Sequence, residues 1–131
     1  MNYNFSMNTK VVSKNAPATG TGPFSHAIIS GELIFTSGQI YLTKEGKLLE
    51  GTLEEQIEQI LMNLKSILEE AGSGFEKVVK TTIYVTDMSN YGTVNDVYGK
   101  YFSEPFPARE VVGVKELPLG AKVEISLVAS K

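Results

Sequence analysis

The chain has 131 residues, 42% of them hydrophobic and 21% charged, and a formal net charge of −3. That length suits one domain, and the mild negative charge provides no field to gather nucleic acid. With no cysteine and a single histidine, a disulfide framework and a cysteine nucleophile are excluded, and no metal site is expected.

Residues 1–8 are read as a flexible N-terminal arm and 9–131 as a single domain. "MNYNFSMNTK" lacks the basic and apolar regions of a secretory leader. No apolar run approaches the ~20 residues of a membrane span. A cytoplasmic protein with no membrane partner is expected. Thr9–Val12 reads as a short strand, followed by a loop over "KNAPATGTGPF". His26–Ser30 and Leu33–Ser37 are apolar runs around Gly31-Glu32, the pattern of a type II′ hairpin. Thr52 and Glu55 have the spacing of a capping box. Leu53, Ile57, Ile60, Leu61, Leu64, Ile67, Leu68 and Ala71 then recur every three or four residues, and Gly72 ends that helix. Val78–Val85 is β-branched and aromatic, hence a strand. A second helix is predicted over Ser89–Phe102, with Pro105 beyond its end. Strands over Ala108–Glu116 and Ala121–Ala129 are predicted to form a closing hairpin around "LPLG".

This order predicts an α+β fold: one sheet with both helices on one face. Several strands are apolar on both sides, so the other sheet face is expected to be buried in an oligomer.

Arg109 is the only arginine, beside eleven lysines. If Val112 and Val114 face the helices, Arg109, Val111 and Gly113 face the oligomer side. A buried guanidinium needs a carboxylate partner. Glu124 is the obvious protein candidate. With Glu116 opposite Ala121, however, Arg109 pairs with Val128 and Glu124 with Gly113. The two side chains then share a face about 13 Å apart. A ligand carboxylate therefore becomes the alternative partner. In the first hairpin His26 opposes Ser37, which reads as a hydrogen-bonded polar pair; no signature of a serine nucleophile accompanies it. "GTGPFS" is no phosphate loop, because no helix follows it.

The segments "NAPATGTGPFSHA", "IFTSGQI", "VNDVYGKYF" and "FPAREVVGVKELPLGAKVEISLVA" together resemble the Rid/YjgF family of reactive-intermediate deaminases, also known as the endoribonuclease L-PSP family. The resemblance runs from about residue 9 to 131. It implies a chorismate-mutase-like α+β fold and a homotrimer with inward-facing sheets and a site at each subunit interface. It implies hydrolysis of enamines and imines, such as 2-aminoacrylate and 2-iminobutanoate, to 2-oxo acids and ammonia, without a cofactor. Carried over by motif, Arg109 holds the substrate carboxylate and Glu124 orients or activates the attacking water. Ser37 and Asn95 bind substrate, and the Val111 carbonyl holds the water or the imine nitrogen. Three positions depart from the family pattern: Phe24 replaces a tyrosine, His26 a glutamine, and Glu110-Val111-Val112 a "S-C-V" segment. Phe24 and His26 remain expected lining of the substrate site.

Two other functions compete. An endoribonuclease would need phosphate contacts and an acid–base pair, for which this chain offers His26 and a lysine patch of Lys65, Lys77 and Lys80. A non-catalytic trimer that binds small carboxylates would need only Arg109.

Overall fold

The computed structural model describes residues 8–131, and these form one six-stranded mixed sheet carrying two α-helices on one face. The N-terminal arm expected over residues 1–8 lies outside the described residues except for Asn8, which already belongs to β1 (Asn8–Val11). β2 (Ala27–Ser30) and β3 (Leu33–Thr36) form the expected hairpin, with Ser30 opposite Leu33. Gly31 has φ 61° while Glu32 keeps a negative φ, so only the first turn residue needs the left-handed region, as in type II′.

α1 spans Leu53–Glu70. The Thr52 hydroxyl accepts from the Glu55 N–H at 3.1 Å, and the Glu55 carboxylate accepts from the Thr52 N–H at 2.9 Å. This closed capping box satisfies two otherwise orphaned donors. Ile57, Ile60, Leu61, Leu64, Ile67 and Leu68 are all fully buried. Asn63 shares that buried stripe and donates to the carbonyls of Ile40 and Leu42, tying the connecting loop to the helix. β4 is Val78–Val85, as expected. α2 is shorter than the periodicity suggests, Tyr91–Tyr98; Phe102 is still buried, but on a turn beyond the helix.

The predicted closing hairpin does not form. β5 (Ala108–Gly113) pairs in parallel with β4, and β6 (Val123–Ser130) lies antiparallel between β3 and β4. The strand order is β1-β2-β3-β6-β4-β5, which leaves β1 and β5 at the edges. The new register corrects the predicted faces. Arg109 opposes Thr81, whose hydroxyl meets Tyr98 on α2, so Arg109, Val111 and Gly113 point to the helix side. Val123, Ile125, Leu127 and Ala129 point the same way and are buried. Glu124 opposes Tyr84 and lies on the open face. Leu33, Phe35 and Val112, each at least 38% exposed, share that open face.

Candidate active site

Arg109 is clasped by one face of α2. Tyr91, Asn95 and Tyr98 stand at i, i+4 and i+7, a single helical stripe. The Arg109 Nη2 group donates to Asn95 Oδ1 at 2.6 Å and to Tyr91 Oη at 3.2 Å. The guanidinium carbon lies 4.9 Å from the centre of the Tyr98 ring and 5.7 Å from that of Tyr91. Charge–quadrupole attraction and hydrogen bonding thus fix the guanidinium plane. Nε and Nη1 have no partner among the described residues, so this charge remains able to take a carboxylate. Asn95 orients Arg109, a role its position in "VNDVY" did not disclose. Burial pushes the Tyr98 phenol up, against opposing pulls from the Thr81 hydrogen bond and the Arg109 charge. A shallow concavity lined by Asn95, Tyr98, Phe106, Pro107 and Arg109 opens beside this cluster.

Val111 follows on the same edge strand. The Val114 N–H bonds to the Val85 carbonyl at 2.8 Å. By strand alternation the backbone groups of Arg109 and Val111 turn away from β4, toward the free edge. The Val111 carbonyl is therefore unpaired among the described residues.

Glu124 sits on the other face, in the wall of a cavity of about 390 Å³ that Pro17, Phe24, Ser37, Gly38 and Leu119 also line. After β3 the chain crosses onto β6: Gln39 and Ile125 exchange backbone hydrogen bonds at 2.9 and 3.1 Å. That bridge presses Gly38 against Glu124. A Cβ on Gly38 would overlap Glu124 Oε2 and stand 2.8 Å from the carboxyl carbon. Only glycine leaves the carboxylate its place. Burial pushes the Glu124 carboxyl above its ordinary value, and no hydrogen bond or ion pair holds it among the described residues.

His26 and Ser37 stand opposite one another as expected, the Ser37 N–H donating to the His26 carbonyl at 3.0 Å, but their side chains do not pair. The Ser37 hydroxyl donates instead to the Ser25 carbonyl at 2.6 Å, leaving its lone pairs toward the cavity. His26 is 1% exposed and holds the preceding loop. Its Nδ1 accepts from the Ser13 N–H at 3.0 Å, so the ring proton resides on Nε2, which donates to the Pro17 carbonyl at 2.7 Å. Both nitrogens are thereby occupied, which corrects the expected substrate-lining role of His26: it shapes the cavity through Pro17. Phe24 is on the rim, 51% exposed. The described residues thus form two separate clusters, Arg109–Asn95–Val111 on the helix side and Glu124–Ser37–Phe24 on the open side.

The family model described as "Endoribonuclease L-PSP" matches residues 13–131. A RutC family protein of Aquifex aeolicus is 50% identical over 113 residues, covering 84% of this chain and 90% of that one. The Arabidopsis thaliana protein named Reactive Intermediate Deaminase A, chloroplastic, is 42% identical, covering 95% of this chain and 67% of that one. Among solved structures, Escherichia coli TdcF with bound serine superposes with a TM-score of 0.86 at 31% identity, covering 94% of this chain and 98% of that one. Matched along nearly its whole described length in both sequence and fold, the chain belongs to the Rid/YjgF (endoribonuclease L-PSP) family, which includes reactive-intermediate deaminases.

Proposed function

We propose that the protein hydrolyses carboxylate-bearing imines and enamines, such as 2-iminobutanoate and 2-aminoacrylate, to 2-oxo acids and ammonia, at sites shared between subunits of a homotrimer. One observation carries this reading. The spare donors of the lone arginine and the unpartnered, half-buried Glu124 carboxylate lie on opposite faces of one sheet. A substrate that touches both takes Arg109 from one subunit and Glu124 from its neighbour. The apolar open face around Leu33, Phe35 and Val112 supports such an assembly, because large exposed apolar surface is usually covered by a partner. The serine bound to TdcF supports a small carboxylate-bearing ligand, and the name of the Arabidopsis relative supports deamination of a reactive intermediate.

Arg109 holds the substrate carboxylate through charge-assisted hydrogen bonds and so places the imine carbon. An enamine first takes a proton from solvent water at its β-carbon and returns one from nitrogen, which makes it the imine. Water adds to the imine carbon and gives a proton to Glu124, whose raised pKa suits it to accept one and return it. The returned proton goes to nitrogen and gives the carbinolamine; Glu124 then takes the new hydroxyl's proton and passes it to nitrogen as the carbon–nitrogen bond breaks, leaving the 2-oxo acid and ammonia. Ser37, whose own proton is committed to Ser25, accepts a hydrogen bond from the imine N–H. The outward Val111 carbonyl holds the water. Water is the only co-reactant, so neither a metal nor an organic cofactor enters.

Ammonia release is measured with the imine generated in situ by a dehydratase, using wild type and Arg109→Ala in parallel. Acceleration by wild type alone is expected. A folded wild type that accelerates nothing would sink the proposal and favour the carboxylate-binding trimer. RNA cleavage gains no support from the site, since the ring nitrogens of the only histidine are held by backbone groups.

A further inference from the structure

We infer that Tyr91 is a second ligand for the substrate carboxylate, donating its phenolic proton to the anion that Arg109 holds; this rests on the reading of Arg109 as the carboxylate site. The three side chains of the α2 stripe differ in what they have left to give. Asn95 offers its amide oxygen to Arg109. Tyr98 is 5% exposed, and its hydroxyl is paired with Thr81 at 2.9 Å. Tyr91 is 39% exposed. Its oxygen accepts from Arg109 Nη2, and its proton has no acceptor among the described residues.

A hydroxyl that receives a hydrogen bond from a cation becomes a stronger donor, because the two bonds polarise each other. The residue is also well placed. The Asp87 carboxylate accepts from the Ser89 N–H at 2.9 Å and fixes the short turn that leads into Tyr91. Arg109 lies 5.7 Å above the Tyr91 ring, so the ring cannot swing away without losing that contact. With both Nη2 protons committed to Asn95 and Tyr91, a carboxylate oxygen taken by a spare Nη1 N–H comes beside Tyr91 Oη. Arginine and phenol then form one cradle, with the phenol proton aimed at the anion.

The probe is 2-oxobutanoate, the stable product of the proposed reaction. Its Kd is measured by calorimetry on the intact protein, for wild type, Tyr91→Phe and a protein carrying 3-fluorotyrosine at position 91. Tyr91→Phe keeps the ring and removes only the hydroxyl. It should raise Kd about five- to tenfold. Fluorination makes the phenol a better donor and a poorer acceptor, so it should tighten binding. A role limited to bracing Arg109 predicts weaker binding with fluorine, and that result overturns the assignment, as does an unchanged Kd in Tyr91→Phe. In ammonia release, KM of Tyr91→Phe should rise in step with Kd while kcat stays within about twofold. A wild type that binds 2-oxobutanoate but releases no ammonia defeats the deaminase reading and leaves Tyr91 to be decided by the Kd values. A wild type that binds no 2-oxobutanoate overturns both.

Discussion

The Arg109 cluster and the Glu124 cavity are built on opposite principles. On the helix side every contact that fixes the guanidinium comes from its own chain: Asn95, Tyr91 and Tyr98 from one stripe of α2. On the open side the carboxylate is crowded by Gly38, half-buried, and bonded to nothing among the described residues. The cation is pre-organised and satisfied in part, whereas the anion is held in place without compensation. Such asymmetry is expected of a site completed from outside, because an unpaired buried charge costs free energy that only its function justifies.

The largest effect should come from putting the two clusters on different chains. Arg109→Ala and Glu124→Ala should each lower turnover by about 10³-fold or more while the fold persists. Co-refolded in equal amounts, the two inactive proteins should regain activity. If the proposed trimers mix at random, a neighbouring pair supplies an intact Arg109 and an intact Glu124 at about one interface in four. About a quarter of wild-type activity is therefore expected. A mixture as inactive as its components would mean that the two clusters never meet.

A smaller effect should come from moving the anion alone. Gly38→Ala puts a methyl group where the Glu124 carboxylate now lies. Displacing a catalytic group by about 1 Å can cost about 10²-fold in rate. Carboxylate binding at Arg109 should be unchanged in this variant. Equal losses in 2-oxobutanoate affinity and in turnover would show that the two halves are coupled within the chain.

On the helix side, Thr81→Val tests how rigid the cation must be. Thr81 is fully buried and pairs with the Tyr98 hydroxyl. Its removal leaves that phenol without a partner, at about 1–3 kcal/mol of stability by denaturant unfolding. The stacked Tyr98 ring keeps its place under Arg109, so turnover should fall less than in Gly38→Ala. A loss of activity larger than that of Gly38→Ala would mean that the cation, not the anion, is the demanding half.

What the sequence disclosed follows the range of the signals. α1, β4 and the first hairpin were legible because their determinants are local: a capping box, a three-and-four stripe, a glycine in a two-residue turn. The last two strands misled because β6 leaves its sequence neighbour and inserts between β3 and β4, a pairing that no local pattern records. The expected hairpin register put Arg109 and Glu124 on one face, whereas the parallel pairing of β5 with β4 sets them on opposite faces. The candidate residues came from the motifs, but the contacts that hold them did not. Asn95 serves Arg109 and His26 serves the Pro17 loop, and both roles depend on contacts 9 to 14 residues away. Gly38 carried a readable signal, a glycine directly after a strand, but its partner Glu124 lies across the sheet.

The smallest expected effect concerns the anion's cost. Burial raises the Glu124 pKa in the folded protein above its value in the unfolded chain. Over the interval between those two values the folded state binds more protons than the unfolded one, so stability falls as pH rises through it and levels off above. Glu124→Gln lacks that loss. It should therefore unfold at the same temperature as wild type below about pH 4, where the carboxyl is protonated in both states, and at a higher temperature near neutral pH. Solvent reaches part of the carboxyl, so the difference should be a few degrees at most. The same variant should be severely impaired in turnover, since an amide cannot take a proton from water. Parallel melting curves across the whole pH range would mean that the carboxylate is already compensated in the assembled protein, and that the contrast between a satisfied cation and an unsatisfied anion ends when the subunits meet.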